Sequence, residues 1–118
     1  MKKHIITVIL TALFLSTNTF AQSKGQITGT VVDSESGETL IGVNVVIDGT
    51  IKGTATDIDG NYTIRNVDAG TYDIKVSYLS YATQLITGVK VGEGETVKLD
   101  IALQPETELL EEIVVTAE

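Results

Sequence analysis

Alternating carboxylate and amide side chains at Asp57, Asp59 and Asn61 are of the right type and spacing to bind an ion. Oxygen ligands at alternate positions can converge on Ca²⁺, as they do in an EF-hand loop. That loop needs Gly at its sixth position and a bidentate Glu at its twelfth, whereas Gly60 is fourth here and Asp68 is twelfth. Asp-Gly between β-prone runs is a strong hairpin signal, so we expect a turn here and no metal site.

Catalytic side chains are scarce in this sequence. There is no cysteine, and the single histidine, His4, lies in a predicted export signal. A Ser/His/Asp triad, a Cys/His pair and a typical zinc site therefore cannot be assembled from the rest of the chain. Paired carboxylates could serve a glycosidase-like reaction only in a cleft, which a small β domain does not obviously offer. We predict no catalytic residue, no metal and no cofactor, and we interpret Asp33, Glu35 and Glu38 as a solvated turn.

The N-terminus has the pattern of a cleaved export signal. Lys2 and Lys3 precede an apolar stretch at 5–15, and Thr19-Phe20-Ala21 supplies small residues at a cleavage position after Ala21. The apolar stretch of 11 residues is shorter than the roughly 18 to 20 residues that a membrane-spanning helix needs. We therefore predict that residues 1–21 are a signal peptide and that the chain is exported.

The charge of the chain disfavours nucleic acid as a partner. The whole sequence has a formal net charge of −8, from 8 basic and 16 acidic residues, and removal of the signal would take away Lys2 and Lys3. Nucleic-acid binding requires a basic surface that displaces counterions. We expect neutral or basic partners instead.

Apolar and polar residues alternate with a period of two from residue 26 to residue 104, and turn residues separate the runs. This pattern predicts an all-β fold, with Leu85 and Val89 facing the core in the sixth strand. Seven strands with one buried face each predict a two-sheet sandwich. The predicted strands are 26–33, 44–48, 53–57, 61–65, 71–78, 82–91 and 96–103.

The four tyrosines fall into two pairs. Strand alternation predicts that Tyr62 and Tyr72 are core residues. Tyr78 and Tyr81 lie at the end of a strand, where an exposed ring could stack on a sugar or contact a partner. The alternative is that these two rings cover the core and keep their hydroxyls in water.

An apolar, β-prone run closes the sequence. The acidic residues of 105–112 come before Ile113, Val114, Val115, Thr116 and Ala117. An extended segment of this kind can add to the sheet edge of another protein. It could instead be the first strand of a further domain, because β-rich sequences contain several such runs.

Five motifs, in this order along the chain, are typical of one known family. They are GQITGTVVD at 25–33, GETLIGVNV at 37–45, GTATD at 53–57, GNYTI at 60–64 and YLSYATQ at 78–84. Together they resemble the carboxypeptidase-like regulatory domain, a transthyretin-like or prealbumin-like sandwich. Ser80 departs from the pattern, since relatives often carry Gly there. Despite the family's name, no zinc ligand of a metallocarboxypeptidase can be carried over to this chain.

The resemblance implies a place in a larger protein. In Bacteroidota such domains commonly begin outer-membrane TonB-dependent receptors, and a TonB box, a plug and a barrel follow them. EEIVVTA at 111–117 looks like that TonB box. The implied partner is the C-terminal domain of TonB, with a plug and barrel expected downstream. The expected order is a signal peptide at 1–21, a short lead at 22–25, the sandwich at 26–104, an acidic linker at 105–112 and a TonB-box-like segment at 113–118, on a disordered tail.

Two functions are therefore compatible with the sequence. One is the N-terminal periplasmic portion of a TonB-dependent outer-membrane receptor for nutrient uptake, with a non-catalytic sandwich. The other is a free-standing secreted or periplasmic sandwich that binds carbohydrate or protein. The sequence does not specify a transported substrate.

Overall fold

The computed structural model describes residues 23–106 and 112–117. The predicted signal peptide at 1–21 and residues 107–111 of the predicted linker lie outside the described residues. In the described part, no helix is long and apolar enough to cross a membrane. Nine strands form there: β1 (Gly25–Asp33), β2 (Asn44–Ile47), β3 (Gly53–Ala55), β4 (Asn61–Val67), β5 (Gly70–Ser77), β6 (Gln84–Val91), β7 (Thr96–Lys98), β8 (Ile101–Leu103) and β9 (Ile113–Thr116).

The strands form two sheets that pack as a sandwich. In the four-stranded sheet β1 pairs antiparallel with β4 and parallel with both β7 and β8. The five-stranded sheet has the order β3-β2-β5-β6-β9. Its pairs are antiparallel except β6 with β9, which is parallel. The first described strand, β1, is therefore central in one sheet, and β9 lies on the edge of the other.

The core lies between the two sheets and consists of aliphatic side chains and one tyrosine. Strand alternation directs one face of each strand inward, which explains the buried positions in β1, β2 and β5. The buried hydrophobic residues are Ile27, Val31, Val43, Val45, Ile47, Tyr62, Ile64, Val67, Ile74, Val76, Ile86, Val89, Val91, Ile101 and Leu103.

The all-β sandwich predicted from the sequence is confirmed, with two differences. The described residues form nine strands where seven were predicted, and residues 113–116 form a strand where a disordered tail was predicted. The tail is ordered because β6 would otherwise present an unpaired edge, and a β-prone apolar segment can satisfy its backbone groups. Residues 105 and 106 also contact the sandwich. Pro105 forms a β-bridge with Tyr81, and the Glu106 N–H donates a 2.9 Å hydrogen bond to the Ser80 carbonyl.

The strand predicted at 96–103 is interrupted at Leu99 and Asp100. The Leu99 carbonyl lies so close to Gly29 that a Cβ there would be 2.0 Å from it. Asp100 uses its side chain to accept a 3.0 Å bond from the Thr30 N–H. A side-chain bond thus replaces a ladder bond, and the ladder resumes at Ile101.

A bulge in β6 changes which of its side chains face the core. Pairing of β5 with β6 shifts between Tyr72 and Ile74, and Gly88 has a φ of 74°. One extra residue in a strand reverses the direction of every side chain beyond it. Ile86 and Val89 are therefore both buried, whereas Leu85, predicted as core, is only half-buried. The prediction for Val89 is confirmed and the prediction for Leu85 is wrong.

A candidate strand-addition site at the edge of the five-stranded sheet

The segment predicted to bind a partner strand lies along the outer side of β6. Gln84 pairs with Ile113, Leu85 with Val114, Ile86 with Val115 and Thr87 with Thr116. The last pair comes immediately before the bulge at Gly88. The five predicted partner-binding residues are therefore brought together as one short edge strand and its following residue; they are Ile113, Val114, Val115, Thr116 and Ala117.

Backbone hydrogen bonds fix the orientation of β9. The Ile113 N–H donates to the Thr83 carbonyl at 2.9 Å, and the Ala117 N–H donates to the Thr87 carbonyl at 2.7 Å. In a parallel ladder, alternate residues direct both of their backbone groups to the same neighbour. Residues 113, 115 and 117 therefore face β6, whereas Val114 and Thr116 direct their N–H and C=O groups away from it.

The side chains of β9 divide between two faces. Ile113 and Ala117 are half-buried, and Ala117 packs against the core. Val114 keeps 59% of its surface exposed and Val115 keeps 40%. β2 and β5 each contain a fully buried valine, so burial of the β9 valines contributes much less to stability than burial of those in β2 and β5. The strand β9 is held mainly by its backbone hydrogen bonds and by partial cover of one apolar face.

A negative charge precedes the strand. Glu112, directly before Ile113, is exposed. Glu108 and Glu111, which the sequence also places beside the segment, lie outside the described residues. Glu112 leaves the approach to the strand acidic, in keeping with the charge of the whole chain.

The two tyrosines predicted as a surface contact lie together at one end of the sandwich. The ring centroids of Tyr78 and Tyr81 are 5.7 Å apart, at an interplanar angle of 40°. Both rings are half-buried and pack against the core. Tyr78 lines an open depression beside Gly42, whereas the neighbouring Leu79 is 87% exposed. A sugar or protein contact through this pair stays a prediction.

Asp33 has a structural role that the sequence interpretation missed. Its Oδ2 accepts a 2.6 Å bond from the Tyr81 hydroxyl, and its Oδ1 accepts bonds from the Glu35 N–H at 2.7 Å and the Ser36 N–H at 2.9 Å. The side chain is largely buried, in contrast to the solvated turn expected there. An Asp two residues before the centre of a turn is a local signal for the two N–H bonds. No local signal indicates the bond from Tyr81.

The acidic loop at 57–61 is a turn, as expected, but the hairpin that Asp-Gly signals is not formed, because β3 before it and β4 after it lie in different sheets. The Asp57 side chain holds this turn. Oδ1 of Asp57 accepts bonds from the Asp59 N–H and the Asn61 N–H, both at 2.9 Å. Gly60 has a φ of 78°, which suits the turn. Within residues 23–106 and 112–117, no three His, Cys, Asp or Glu side chains come together in a group that could hold a metal ion.

Curated relatives of this chain are large receptors. The TonB-dependent receptor P3 of Formosa agariphila is 39% identical over 95 residues, which cover 80% of this chain and 9% of the receptor. The TonB-dependent receptor SusC of Bacteroides thetaiotaomicron is 35% identical over 113 residues, which cover 94% of this chain and 10% of the receptor. The chain therefore spans about a tenth of the length of these relatives.

Solved structures with the same fold come from several kinds of protein. A type II cohesin-X-dockerin complex from Acetivibrio cellulolyticus aligns with a TM-score of 0.55 and 27% identity, over 65% of this chain and 52% of that chain. A structure from Bacteroides uniformis aligns with a TM-score of 0.56 and 20% identity, over 70% of this chain and 42% of that chain. The second likeness concerns the fold alone.

The family model of the CarboxypepD_reg-like domain matches residues 27–115. The match includes all five motifs named above except the first two residues of GQITGTVVD. It also extends through the first three residues of β9, which pair with β6 in the same sheet. The chain belongs to the CarboxypepD_reg-like domain family.

Proposed function

We propose that this chain is the N-terminal periplasmic portion of a TonB-dependent outer-membrane receptor for nutrient uptake. In this proposal the sandwich is a non-catalytic accessory module and the segment at 113–117 binds the C-terminal domain of TonB. A plug and a barrel would follow in the same receptor. The observation that carries the proposal is an apolar strand at a sheet edge, in a chain whose curated relatives are TonB-dependent receptors.

The chemistry of the segment supports this role. Strand addition gains backbone hydrogen bonds, each with a net contribution of about 0.5–1.5 kcal/mol, and loses part of that gain to ordering of the segment. Binding through four or five residues is therefore modest in affinity. A modest affinity suits a contact that must form, transmit force and release.

The proposed location follows from two features. The pattern of residues 1–21 is that of an export signal, and the curated relatives are receptors whose name joins them to TonB. We infer that the sandwich lies on the periplasmic side of the outer membrane. The lack of cysteine leaves its stability independent of the redox state of that compartment.

A non-catalytic role fits the described residues. The carboxylate of Asp33 accepts three hydrogen bonds, and each of them holds the turn or the Tyr81 ring. Side chains that position a turn in this way are not available to bind and transform a substrate. We propose that the sandwich acts only through its surfaces.

Binding to TonB can be measured directly with the purified chain. TonB C-terminal domains from Bacteroides thetaiotaomicron and Formosa agariphila are titrated into the chain, and the Kd is measured by calorimetry. The Val115→Pro variant fixes φ in the middle of the segment and removes the N–H that faces β6, so the strand itself is disrupted. We therefore expect it to bind about tenfold more weakly or worse.

The matched control is Ala55→Pro. Thr54, in β3, is bonded to β2, so the neighbouring Ala55 directs its N–H away from the sheet, at the edge opposite β9. This variant also carries a proline in an edge strand, and it should bind TonB as the original chain does. Unchanged binding by Val115→Pro, or no binding by the original chain, would contradict the proposed function. The second outcome would favour a free-standing module that binds carbohydrate or protein.

A further inference from the structure

Along the outer edge of β9, the described part of the chain places no strand beside the backbone groups. β9 ends the order β3-β2-β5-β6-β9, and within residues 23–106 and 112–117 no strand pairs with its other side. The ladder to β6 uses residues 113, 115 and 117, so the N–H and C=O groups of Val114 and Thr116 point outward. This edge has room for one more strand.

The edge also lacks a lysine, a proline and a bulge, which are among the features that usually prevent strand addition. Edge strands of monomeric proteins are commonly protected by lysine, by proline, by a bulge or by extreme shortness. The strand β9 reads Ile-Val-Val-Thr, without a charge or a proline, and the bulge of this sheet lies in β6 beyond the last pair. The opposite edge, β3, is only three residues long and follows Lys52. The outer side of β9 is thus the less protected edge of the five-stranded sheet.

We propose that a partner strand adds to the outer edge of β9 while β9 stays paired with β6. The sandwich would then present the segment at 113–117 to TonB already in the conformation of a paired strand. This inference rests on the proposed function and specifies its geometry. The partner strand would exchange hydrogen bonds with Val114 and Thr116. Residues 113 and 115 would keep their bonds to β6.

Pre-ordering explains why this arrangement favours binding. A disordered peptide must lose backbone entropy when it pairs, whereas β9 has already lost it by pairing with β6. Its register is fixed as well, with Leu85 opposite Val114. The partner therefore meets a strand whose outward groups are already aligned at the spacing of a sheet.

The occupant to which the structure points is a basic sheet edge, which we take to be that of the TonB C-terminal domain. Glu112 is exposed directly before the strand, and the whole chain has a formal net charge of −8. A second copy of this chain would bring an equally acidic edge to the same place. Like-charge repulsion therefore disfavours self-pairing, whereas a basic edge is attracted.

A reversible disulfide between β6 and β9 tests whether TonB binds β9 while it stays paired with β6 or only after it has left β6. Thr87 and Thr116 are direct partners in the parallel ladder, and neighbouring strands lie about 4.8 Å apart, within the range that a disulfide can bridge. The chain contains no cysteine, so a Thr87→Cys and Thr116→Cys double variant can form only this intramolecular bridge. The oxidised form should bind the TonB C-terminal domain within about threefold of the reduced form. A larger loss of binding that a reductant reverses would overturn the inference.

A proline substitution tests which backbone groups the partner uses. Val114→Pro removes an outward N–H and leaves the bonds of residues 113, 115 and 117 to β6 intact. We expect it to weaken binding about tenfold or more, while the Ala117 amide stays protected from hydrogen exchange. Binding within about threefold of the original chain would overturn the inference.

The results distinguish the failure of this inference from the failure of the proposed function. If the original chain does not bind any TonB C-terminal domain, the proposed function fails. If the original chain binds but the oxidised double variant does not, TonB recognises the segment only after release from β6. The function then stands and the geometry proposed here is wrong.

Discussion

The hydroxyl of Tyr81 donates a 2.6 Å hydrogen bond to Oδ2 of Asp33. This bond joins the end of β1, in one sheet, to the connection between β5 and β6, in the other. Because Oδ1 of the same carboxylate accepts the Glu35 and Ser36 N–H groups, one side chain holds both the first turn and a tyrosine ring. The bond lowers the pKa of Asp33 below 3.8 and, together with burial, raises the pKa of Tyr81 to about 12.

The lowered pKa of Asp33 predicts an acid-sensitive contribution to stability. The ionised carboxylate is favoured in the folded state, so its contribution is present above pH 3.8 and is lost as the pH falls through the lower folded pKa. Tyr81→Phe removes the largest cause of the shift. We expect this variant to have a lower Tm at neutral pH and a shallower decline of Tm below pH 3.8, measured by calorimetry.

Tyr81→Phe should also change how stability depends on pH in the alkaline range. A raised tyrosine pKa means that stability is complete below pH 10.0 and is lost as the pH rises towards about 12. Tyr81→Phe removes that loss, whereas Tyr72→Phe, which removes a hydroxyl bonded to the Asp68 carbonyl, leaves the Tyr81 contribution in place. Equal pH profiles for Tyr81→Phe and the original chain would contradict the assigned role of the Asp33 bond.

Ser80→Gly should stabilise the sandwich. Ser80 has a φ of 70°, in the left-handed region that costs a residue with a Cβ about 1–2 kcal/mol. Glycine also gives the unfolded state of the variant more backbone entropy, which opposes folding. The net gain in the free energy of unfolding is therefore about 1 kcal/mol or less. Chemical denaturation measures this change in the free energy of unfolding. Ser77→Gly, in β5, is the control and should lower stability by about 0.5–1 kcal/mol; a loss of stability in Ser80→Gly would contradict the backbone argument.

Gly29→Ala should be strongly destabilising. The added Cβ would lie 2.0 Å from the Leu99 carbonyl oxygen and 3.1 Å from the Tyr62 ring. Since backbone must move to admit it, we expect a loss of about 1–3 kcal/mol in the free energy of unfolding. The comparison is Gly70→Ala, whose Cβ would meet only the end of the Tyr72 side chain at 3.3 Å. Denaturation curves that show similar losses for both would contradict the close approach of Leu99 to β1.

The loop at 57–61 should depend on its hydrogen bonds and not on calcium. Asp57→Ala removes the acceptor of two N–H bonds and should cost about 1 kcal/mol. Millimolar Ca²⁺ should leave the Tm of the original chain unchanged, because Oδ1 of Asp57 already serves the turn. A rise of Tm with added Ca²⁺, abolished by Asp57→Ala, would instead reveal an ion site.

The alternation of apolar and polar residues was sufficient to predict the sandwich. The features that it did not predict depend on contacts between residues far apart in the sequence. Alternation in β1 and β5 is regular, so their buried faces follow from the sequence. Leu85 was assigned to the wrong face because the bulge at Gly88 depends on its pairing with β5, where the Asp73 side chain accepts the Gly88 N–H at 3.2 Å.

The candidate site shows the same division. The composition of residues 113–117 indicated a β-prone segment that could pair with the sheet of another protein, and the structure contains a strand at 113–116 that pairs within the same chain. Its neighbour is β6, whose pairing residues come nearly thirty positions earlier, and no local signal specifies that pairing. Ser80 is a contrasting example. Its departure from the usual Gly was noticed in the sequence, but only the φ of 70° explains why Gly is common there.

The position of β1 has a consequence for how this domain is made. Its residues Gln26, Ile27 and Thr28 pair with residues 96–98, and Val31, Val32 and Asp33 pair with residues 101–103. Contacts between such distant parts of a chain slow folding, because a long loop must close before they form. β1 thus cannot complete its pairing before β8 is available, and we expect the sandwich to remain unfolded until residue 103 has emerged. In the proposed exported receptor, this delay keeps the polypeptide unfolded while it passes through a narrow translocation channel.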